Sequence, residues 1–454
     1  MQQLIEAQRS YFLTHETKDV SFRIKQLKKL DRIIRANEQL LLDAIYKDFK
    51  KSAFDTITNE LELVYHDIRE AIHNVRKWAE MERVGTNWVN WPARSFIKPE
   101  PLGVTLVIGA WNYPLQLSFA PVVASMAAGN TIILKPSELP KHSSAAMTKI
   151  INENFDPSYF LVVEGGVPET TELLENKFDK IFFTGSTPVG KIIYQAAAKH
   201  LTPVTLELGG KSPAIVSDKC NMKMTIKRLI WAKFLNSGQT CIAPDYILVQ
   251  RSIYDVFLER AVEEIKRSNF AVENDNFIQI LDHRNLDRLE KLLDPDKVHF
   301  GGKVSREERT LEPTIMTNVG TDDPVMQEEI FGPIMPVIPY DTIEDAIAYV
   351  HQFEKPLACY LFSKSKKEQQ KVLNEVSFGG GSINEAVMHI TNSSIGFGGV
   401  GNSGMGSYHG HFGFRSFSHY KGVMKKPNWF ETGIKYGKHT NFKLKLARFI
   451  FRQG

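Results

Sequence analysis

Residues 101–134 read PLGVTLVIGAWNYPLQLSFAPVVASMAAGNTIIL, a stretch with no charged side chain. It is longer than the roughly 20 apolar residues that cross a bilayer, yet Asn112, Pro114, Gln116, Pro121, Gly129 and Asn130 interrupt it. The interruptions divide it into a β-branched run (Val104 to Ile108), a turn, a helical piece (Leu115 to Ala128) and a second β-branched run (Thr131 to Leu134). Strands that are apolar throughout, rather than alternating, belong to parallel sheets covered on both faces. The stretch is therefore a buried strand, helix, strand unit.

Working outward, the same alternation continues through Phe160 to Val163, Lys180 to Phe183 and Val204 to Leu206, with helical patterns between. Strands joined by helical crossovers imply a doubly wound parallel sheet. After Gly209 and Gly210 a second series follows: Ala214 to Val216, Tyr246 to Val249, Ile334 to Ile338, Ala358 to Phe362 and Ser382 to Asn384. The first hundred residues carry apolar positions at helical spacing (Ile24, Leu27, Ile33, Leu40, Ile45), and the Trp and Pro rich segment Trp88 to Pro101 reads as extended ribbon. The fold class is α/β: two doubly wound α/β domains, a Rossmann-like cofactor domain and a catalytic domain, with a small β-ribbon and a C-terminal tail. The boundaries read as 1–84 with 103–208 for the first domain, 209–395 for the second, and 85–102 with 396–454 for the ribbon and tail.

At 454 residues, 43% hydrophobic and 24% charged, the chain has the composition of a globular protein with more than one core. A formal charge of +4 leaves no electrostatic footprint for nucleic acid. The cysteines Cys220, Cys241 and Cys359 form neither a disulfide framework nor a metal-ligand spacing, so no metal is expected. Glu6, Arg9 and Glu16 interrupt the N-terminal segment, which lacks the core of a secretory signal. A cytoplasmic setting with free thiols is the expectation.

Two glycine patterns are decoys. Gly396, Gly398 and Gly401, and again Gly399, Gly401 and Gly404, match Gly-x-Gly-x-x-Gly, but neither set turns a strand into a helix as a dinucleotide fingerprint must. Gly185-Ser-Thr-Pro-Val-Gly190-Lys191 follows a strand and precedes a helix (Ile192 to Lys199), yet Ile192 stands where a triphosphatase needs Ser or Thr for magnesium. Glycine turn, Ser186 hydroxyl and helix N-terminus still suit a phosphate. Cys241 lies in the polar turn Asn236-Ser-Gly-Gln-Thr-Cys241. A nucleophilic thiol there needs an amide donor and an acid, which Asn112 and Glu207 can supply. Glu207 ends an apolar strand, where a carboxylate is costly unless it is solvated, paired or useful.

These blocks together are similar to the aldehyde dehydrogenase superfamily. They are Gly109 to Pro114, Leu134-Lys-Pro-Ser-Glu138, Phe183-Thr-Gly-Ser186, Leu206-Glu-Leu-Gly-Gly-Lys211, Gly238-Gln-Thr-Cys241 and Glu329-Ile-Phe-Gly-Pro333, in the family's order. Gln239 to Asp245 and Gly401 to His409 resemble the class 3 branch, which includes fatty and aromatic aldehyde dehydrogenases. The resemblance implies that Cys241 attacks the aldehyde carbon, that Asn112 and the Cys241 N–H hold the oxyanion, and that Glu207 activates water to release the acid. It further places Lys135 and Glu138 at the adenosine ribose, Gly185 and Ser186 near the pyrophosphate, Glu329 on the nicotinamide ribose and Phe331 against the nicotinamide. The cofactor is then NAD, since a Glu138 carboxylate repels a 2′-phosphate; Lys135 and class 3 precedent leave NADP open.

Three other readings stand beside this one: a CoA-acylating or acyl-transferring cysteine enzyme, a phosphate-loop hydrolase, and a binding protein on an enzyme scaffold. Tyr113, Trp231 and the aromatic residues of Ile395 to Phe417 are candidates for an apolar access tunnel that favours medium-chain, long-chain or aromatic aldehydes, and equally for core. The tail Phe442 to Phe451, too short to span and carrying three cations, suits either a dimer or domain contact, which is favoured, or an anionic membrane surface. The resemblance implies a homodimer.

Overall fold

The computed structural model describes residues 1–452; Gln453 and Gly454, the end of the expected tail, lie outside the described residues. Long helices, Gln2–Leu13, Val20–Ala36, Glu38–Phe49 and Glu62–Trp78, open the chain. Leu27, Leu30, Leu41 and Ile68 on their inner faces share a core with Leu115, Phe119 and Val122 of helix Pro114–Ala128. That helix is buried almost all round, which explains why its sequence lacks a polar stripe. Gly129 (φ +95°) ends it where an added Cβ would meet the Arg23 guanidinium at 2.6 Å. Arg23 donates to Ala127 O, a carbonyl that the helix end leaves unpaired, and also to Thr17 O.

The strands, in chain order, begin with β1 (Glu82–Val84) and β2 (Arg94–Pro101) of the ribbon. Then come β3 (Val104–Ile108), β4 (Thr131–Lys135), β5 (Phe160–Val162), β6 (Lys180–Thr184) and β7 (Val204–Glu207). The second series is β8 (Pro213–Val216), β9 (Tyr246–Gln250), β10 (Val298–Phe300), the hairpin β11 (Val304–Ser305) and β12 (Thr310–Leu311), β13 (Thr314–Met316), β14 (Ile334–Tyr340), β15 (Ala358–Phe362) and β16 (Gly380–Ile383). Last are β17 (Gly404–Met405) and β18 (Ser418–Lys425). One sheet has the order β17-β7-β6-β3-β4-β5 and another β10-β13-β14-β9-β8-β15-β16, parallel except for β17 and β10; the ribbon is β1-β2-β18, antiparallel. This is the expected α/β architecture. In the first sheet the chain leaves β3 in one direction to β4 and in the other to β6, so a crevice opens at the C-terminal ends of β3 and β6.

Several placements differ from expectation. The strand expected at Ser382 to Asn384 forms at Gly380–Ile383, and the helix expected from Ile192 begins at Thr187. Glu82–Val84, grouped by sequence with the helical lead-in, pairs with the ribbon, and Gly404–Met405 of the glycine-rich loop pairs with Leu206 and Glu207. In the tail, Ser418–Lys425 lies along β2, but helix Asn441–Arg452 buries none of its side chains against its own chain. Among the described residues no helix is long and apolar enough to cross a membrane.

Candidate active site

The thiol loop grows from the end of helix Met222–Phe234. Asn236 (φ 56°), Ser237 (φ 53°) and Gly238 (φ 72°) are all left-handed. At the two non-glycine positions this conformation costs about 1 to 3 kcal/mol each and persists only where surrounding bonds dictate it. Those bonds are present. Ser237 Oγ donates to Ile278 O (2.6 Å) and accepts from Ile278 N (3.0 Å), and Asn236 Nδ2 donates to Asn112 O and Gln239 O, each at 3.1 Å. Gly238 is required, because an added Cβ would fall 2.2 Å from Gly332 O. The turn leaves Asn236 to Thr240 buried and Cys241 partly exposed.

Cys241 faces a cavity of about 350 Å³ whose wall also holds Tyr113, Gln116, Glu207, Trp231 and Tyr408. Much of the remaining lining is aliphatic or aromatic, including Leu117, Leu208, Ile242, Leu357 and Phe397. Of the aromatic residues between Ile395 and Phe417, Phe397 and Tyr408 reach the wall, whereas Phe414 and Phe417 are core and Phe412 is exposed. Glu207 ends β7, is 2% exposed, and neither carboxyl oxygen has a partner. Burial therefore raises its pKa well above the carboxyl range. Burial also raises the Cys241 thiol, and the Glu329 and Glu207 carboxyls add to the effect. Asn112 is buried outside the cavity lining, with Nδ2 donating to Gln239 O (3.1 Å) two residues before the thiol. Its amide retains a second N–H.

Of the expected cofactor residues, Lys135 and Gly185 stand at strand ends beside the crevice, and none of the set lines the cavity wall. Lys135 ends β4, its ammonium 3.0 Å from the half-exposed Glu138 carboxylate. Gly185 follows β6, and an added Cβ there would meet the Phe183 ring at 2.5 Å. Ser186 is the N-cap of helix Thr187–Ala198 but makes no capping bond, leaving the first-turn N–H groups without a side-chain acceptor. A helix N-terminus of this kind accommodates a pyrophosphate, so the residues present fit a dinucleotide. Glu329 packs against Gly209, where an added Cβ would meet Glu329 Oε2 at 2.0 Å. Burial, with Asp245 nearby, raises Glu329 to about 8. Phe331 (φ 48°) sets its ring 5.3 Å from Trp111.

Sequence reasoning quoted Lys211 and Asp245 inside its blocks without giving them work. They form a buried ion pair, and Lys211 Nζ also donates to Val325 O (3.0 Å) and Glu328 O (2.9 Å) while Asp245 accepts from Ile330 N (2.9 Å). This clamp fixes the backbone on both sides of Glu329. Gln116 and Thr184 were also missed, having no motif to mark them; both line the cavity with unpartnered polar atoms. One group of metal-ligating type, His66, Asp67 and Glu70, stands outside the wall.

A model of the aldehyde dehydrogenase family matches residues 1–423. The chain belongs to that family. This aldehyde dehydrogenase is 43% identical over 431 residues to a 4,4'-diaponeurosporen-aldehyde dehydrogenase of Staphylococcus aureus, covering 94% of each chain. It is 44% identical over 424 residues to a rat aldehyde dehydrogenase named dimeric and NADP-preferring, covering 93% of this chain and 94% of that one. Aldehyde dehydrogenase family 3 member A2 of Pongo abelii is 41% identical over 92% of this chain and 87% of its own length, in line with the class 3 resemblance. Among solved structures, a substrate-bound Staphylococcus aureus AldH superposes with a TM-score of 0.96 at 41% identity, over 99% of both chains. The protein is an NAD(P)-dependent oxidoreductase acting on aldehydes.

Proposed function

We propose that this enzyme oxidises medium-chain, long-chain or aromatic aldehydes to carboxylic acids, with Cys241 as nucleophile, Asn112 as oxyanion donor and Glu207 as the base for hydrolysis. The observation that carries this reading is that Cys241 and Glu207 share the wall of one largely apolar cavity. Apolar walls favour long substrates by about 0.8 kcal/mol per buried methylene. Cys241 Sγ adds to the aldehyde carbon, and the free N–H of Asn112 with the Cys241 N–H bonds the oxyanion. Bound NAD or NADP supplies the hydride acceptor that turns the thiohemiacetal into a thioester. Glu207 then takes a proton from water, which attacks the acyl carbon and releases the acid. Its place in the wall favours hydrolysis over transfer of the acyl group to a thiol.

For the cofactor we assign Lys135 and Glu138 to the adenosine ribose, Gly185 and Ser186 to the pyrophosphate, and Glu329 and Phe331 to the nicotinamide end. The Glu138 carboxylate supports NAD as the preferred form, and the Lys135 ammonium beside it supports use of NADP. We assign residues 1–81 and 103–208 to the cofactor domain and 209–395 to the thiol domain, with Glu82–Val84 in the ribbon it pairs with. The dimeric relative supports a homodimer, and free cysteines fit a cytoplasmic setting. The test is reduced-nicotinamide absorbance with NAD or NADP and a panel of short, long-chain and aromatic aldehydes. Cys241→Ala abolishes turnover, and Glu207→Gln reduces it to one burst of reduced cofactor. Absence of turnover with every aldehyde in the panel overturns the reading.

A further inference from the structure

The cavity wall contains polar atoms that the two-residue chemistry does not use. Besides both Glu207 oxygens, Gln116 Nε2, Thr184 Oγ1 and the Tyr408 hydroxyl are buried there without a hydrogen-bond partner. Buried polar groups are partnered in the great majority of cases, so such a cluster in one wall calls for a function. The Gln116 amide stands beside the Tyr408 phenol without closing a bond, and Glu207 and Cys241 both act electrostatically on that phenol. No lysine or arginine lines the cavity among the described residues. A carboxylate there can be stabilised only by neutral donors, and Tyr408 and Gln116 are of that kind.

The Tyr408 ring is held on several sides. Tyr408 N donates to Phe397 O (2.8 Å), and Phe397 N donates to Tyr408 O (3.1 Å). The Tyr408 ring meets Phe182 edge-on at 5.0 Å and stacks on His409 at 4.1 Å. The same loop is tied to the Glu207 strand through β17 and through Leu208 N donating to Ser403 O (3.1 Å).

We propose that Tyr408, assisted by Gln116, is a positioning residue for acyl-enzyme hydrolysis: the two side chains donate hydrogen bonds to the Glu207 carboxylate and to the water it deprotonates. The inference rests on the roles given above to Cys241 and Glu207. In the step concerned, the water oxygen bonds to the acyl carbon while one water proton passes to Glu207. Collapse of the tetrahedral adduct breaks the C–Sγ bond, the electron pair returns to Sγ, and the proton on Glu207 passes on to the thiolate as the acid leaves. Hydrogen bonds to a carboxylate favour its charged form and oppose the burial that raises the Glu207 pKa. The other titratable groups of that wall are the Cys241 thiol, from the loop after helix Met222–Phe234, Asp55 and the Tyr113 phenol, while Glu329, packed against Gly209, acts on Cys241 from outside the wall.

The experiment compares wild type, Tyr408→Phe, Gln116→Leu and Glu207→Gln with octanal and NAD, by stopped-flow and steady-state absorbance of reduced nicotinamide. Tyr408→Phe keeps the ring contacts and loses only the hydroxyl. Its single-turnover rate stays at the wild-type value, while steady turnover falls about tenfold to a hundredfold, the range for a hydrogen bond to a charged group. A burst of one equivalent per subunit results. The acid limb of the steady-state pH profile moves upward, and hydroxylamine, an acyl acceptor that needs no base, restores turnover to the level of hydroxylamine-treated wild type. Gln116→Leu shows the same pattern, smaller. Equal loss of single-turnover and steady rates, or an unmoved pH profile, overturns the inference. If Glu207→Gln bursts and Tyr408→Phe does not, the inference alone fails; if wild type reduces no cofactor, the dehydrogenase assignment of the site fails first.

Discussion

Replacing Glu207 by glutamine is expected to stabilise the fold while it removes activity, and the size of the effect follows from burial. The folded-state pKa of Glu207 stands well above the ordinary carboxyl value, and neither oxygen has a partner to lose. Above a pH of about 4.3 the unfolded chain releases this proton while the folded chain keeps it, so wild-type stability falls as pH rises toward the raised pKa. Glutamine has no proton to release. The variant therefore gains on wild type by about 1.4 kcal/mol per pH unit within that interval, and the gain flattens above the raised pKa and vanishes below the unfolded one. Two units amount to about 2.7 kcal/mol, or roughly 3 °C in Tm at a specific unfolding entropy near 2.1 cal/mol/K per residue. The new amide donors offset the gap by a constant, so the slope with pH is the signature. Thermal unfolding of both proteins from pH 4 to 7.5 measures it. A gap that does not widen with pH refutes the argument that Glu207 is an unpaired buried acid.

Cys241, raised by burial and two carboxyls, is expected to react slowly with iodoacetamide at pH 7.5 and about tenfold faster for each unit of higher pH, as thiolate reactivity requires; peptide mapping of the alkylated site checks this. Lys211→Met leaves Asp245 charged and buried, and is expected to cost about 3 to 5 kcal/mol in urea unfolding, much of it recovered in the double variant with Asp245→Leu. Glu138→Gln removes the carboxylate beside Lys135 and shifts the ratio of kcat/KM for NADP over NAD upward by about fivefold, roughly 1 kcal/mol for one partly solvated charge.

The parallel core was legible because Val104 to Ile108 and its fellows are apolar runs that only a two-sided burial explains. What escaped notice had no apolar signature. Gly380 to Ile383 is a strand in which Gly381 is obligatory, since an added Cβ would fall 2.1 Å from Cys359 O, yet glycine in sequence reads as a turn. The strands β10 to β13 are two or three residues long, too short for periodicity to register. Helix Thr187–Ala198 began earlier than expected because Pro188 serves the first turn of a helix well. At the site, Cys241, Asn112 and Glu207 stood out through their odd surroundings, whereas nothing local in the sequence pairs Lys211 with Asp245, which the fold buries together. Gln116 sits among apolar neighbours in sequence and Tyr408 in a glycine-rich polar stretch, and only the cavity brings them together.

The short strand Gly404–Met405, laid beside Leu206 and Glu207, joins positions roughly 200 residues apart, a separation that slows folding through loop-closure entropy. During synthesis, Glu207 and Cys241 are both made long before the loop that carries Tyr408. The cavity wall is therefore among the last parts of the molecule to be assembled. A chain released early would carry Cys241 and Glu207 without the aromatic residues, Phe397 and Tyr408, that complete their chamber.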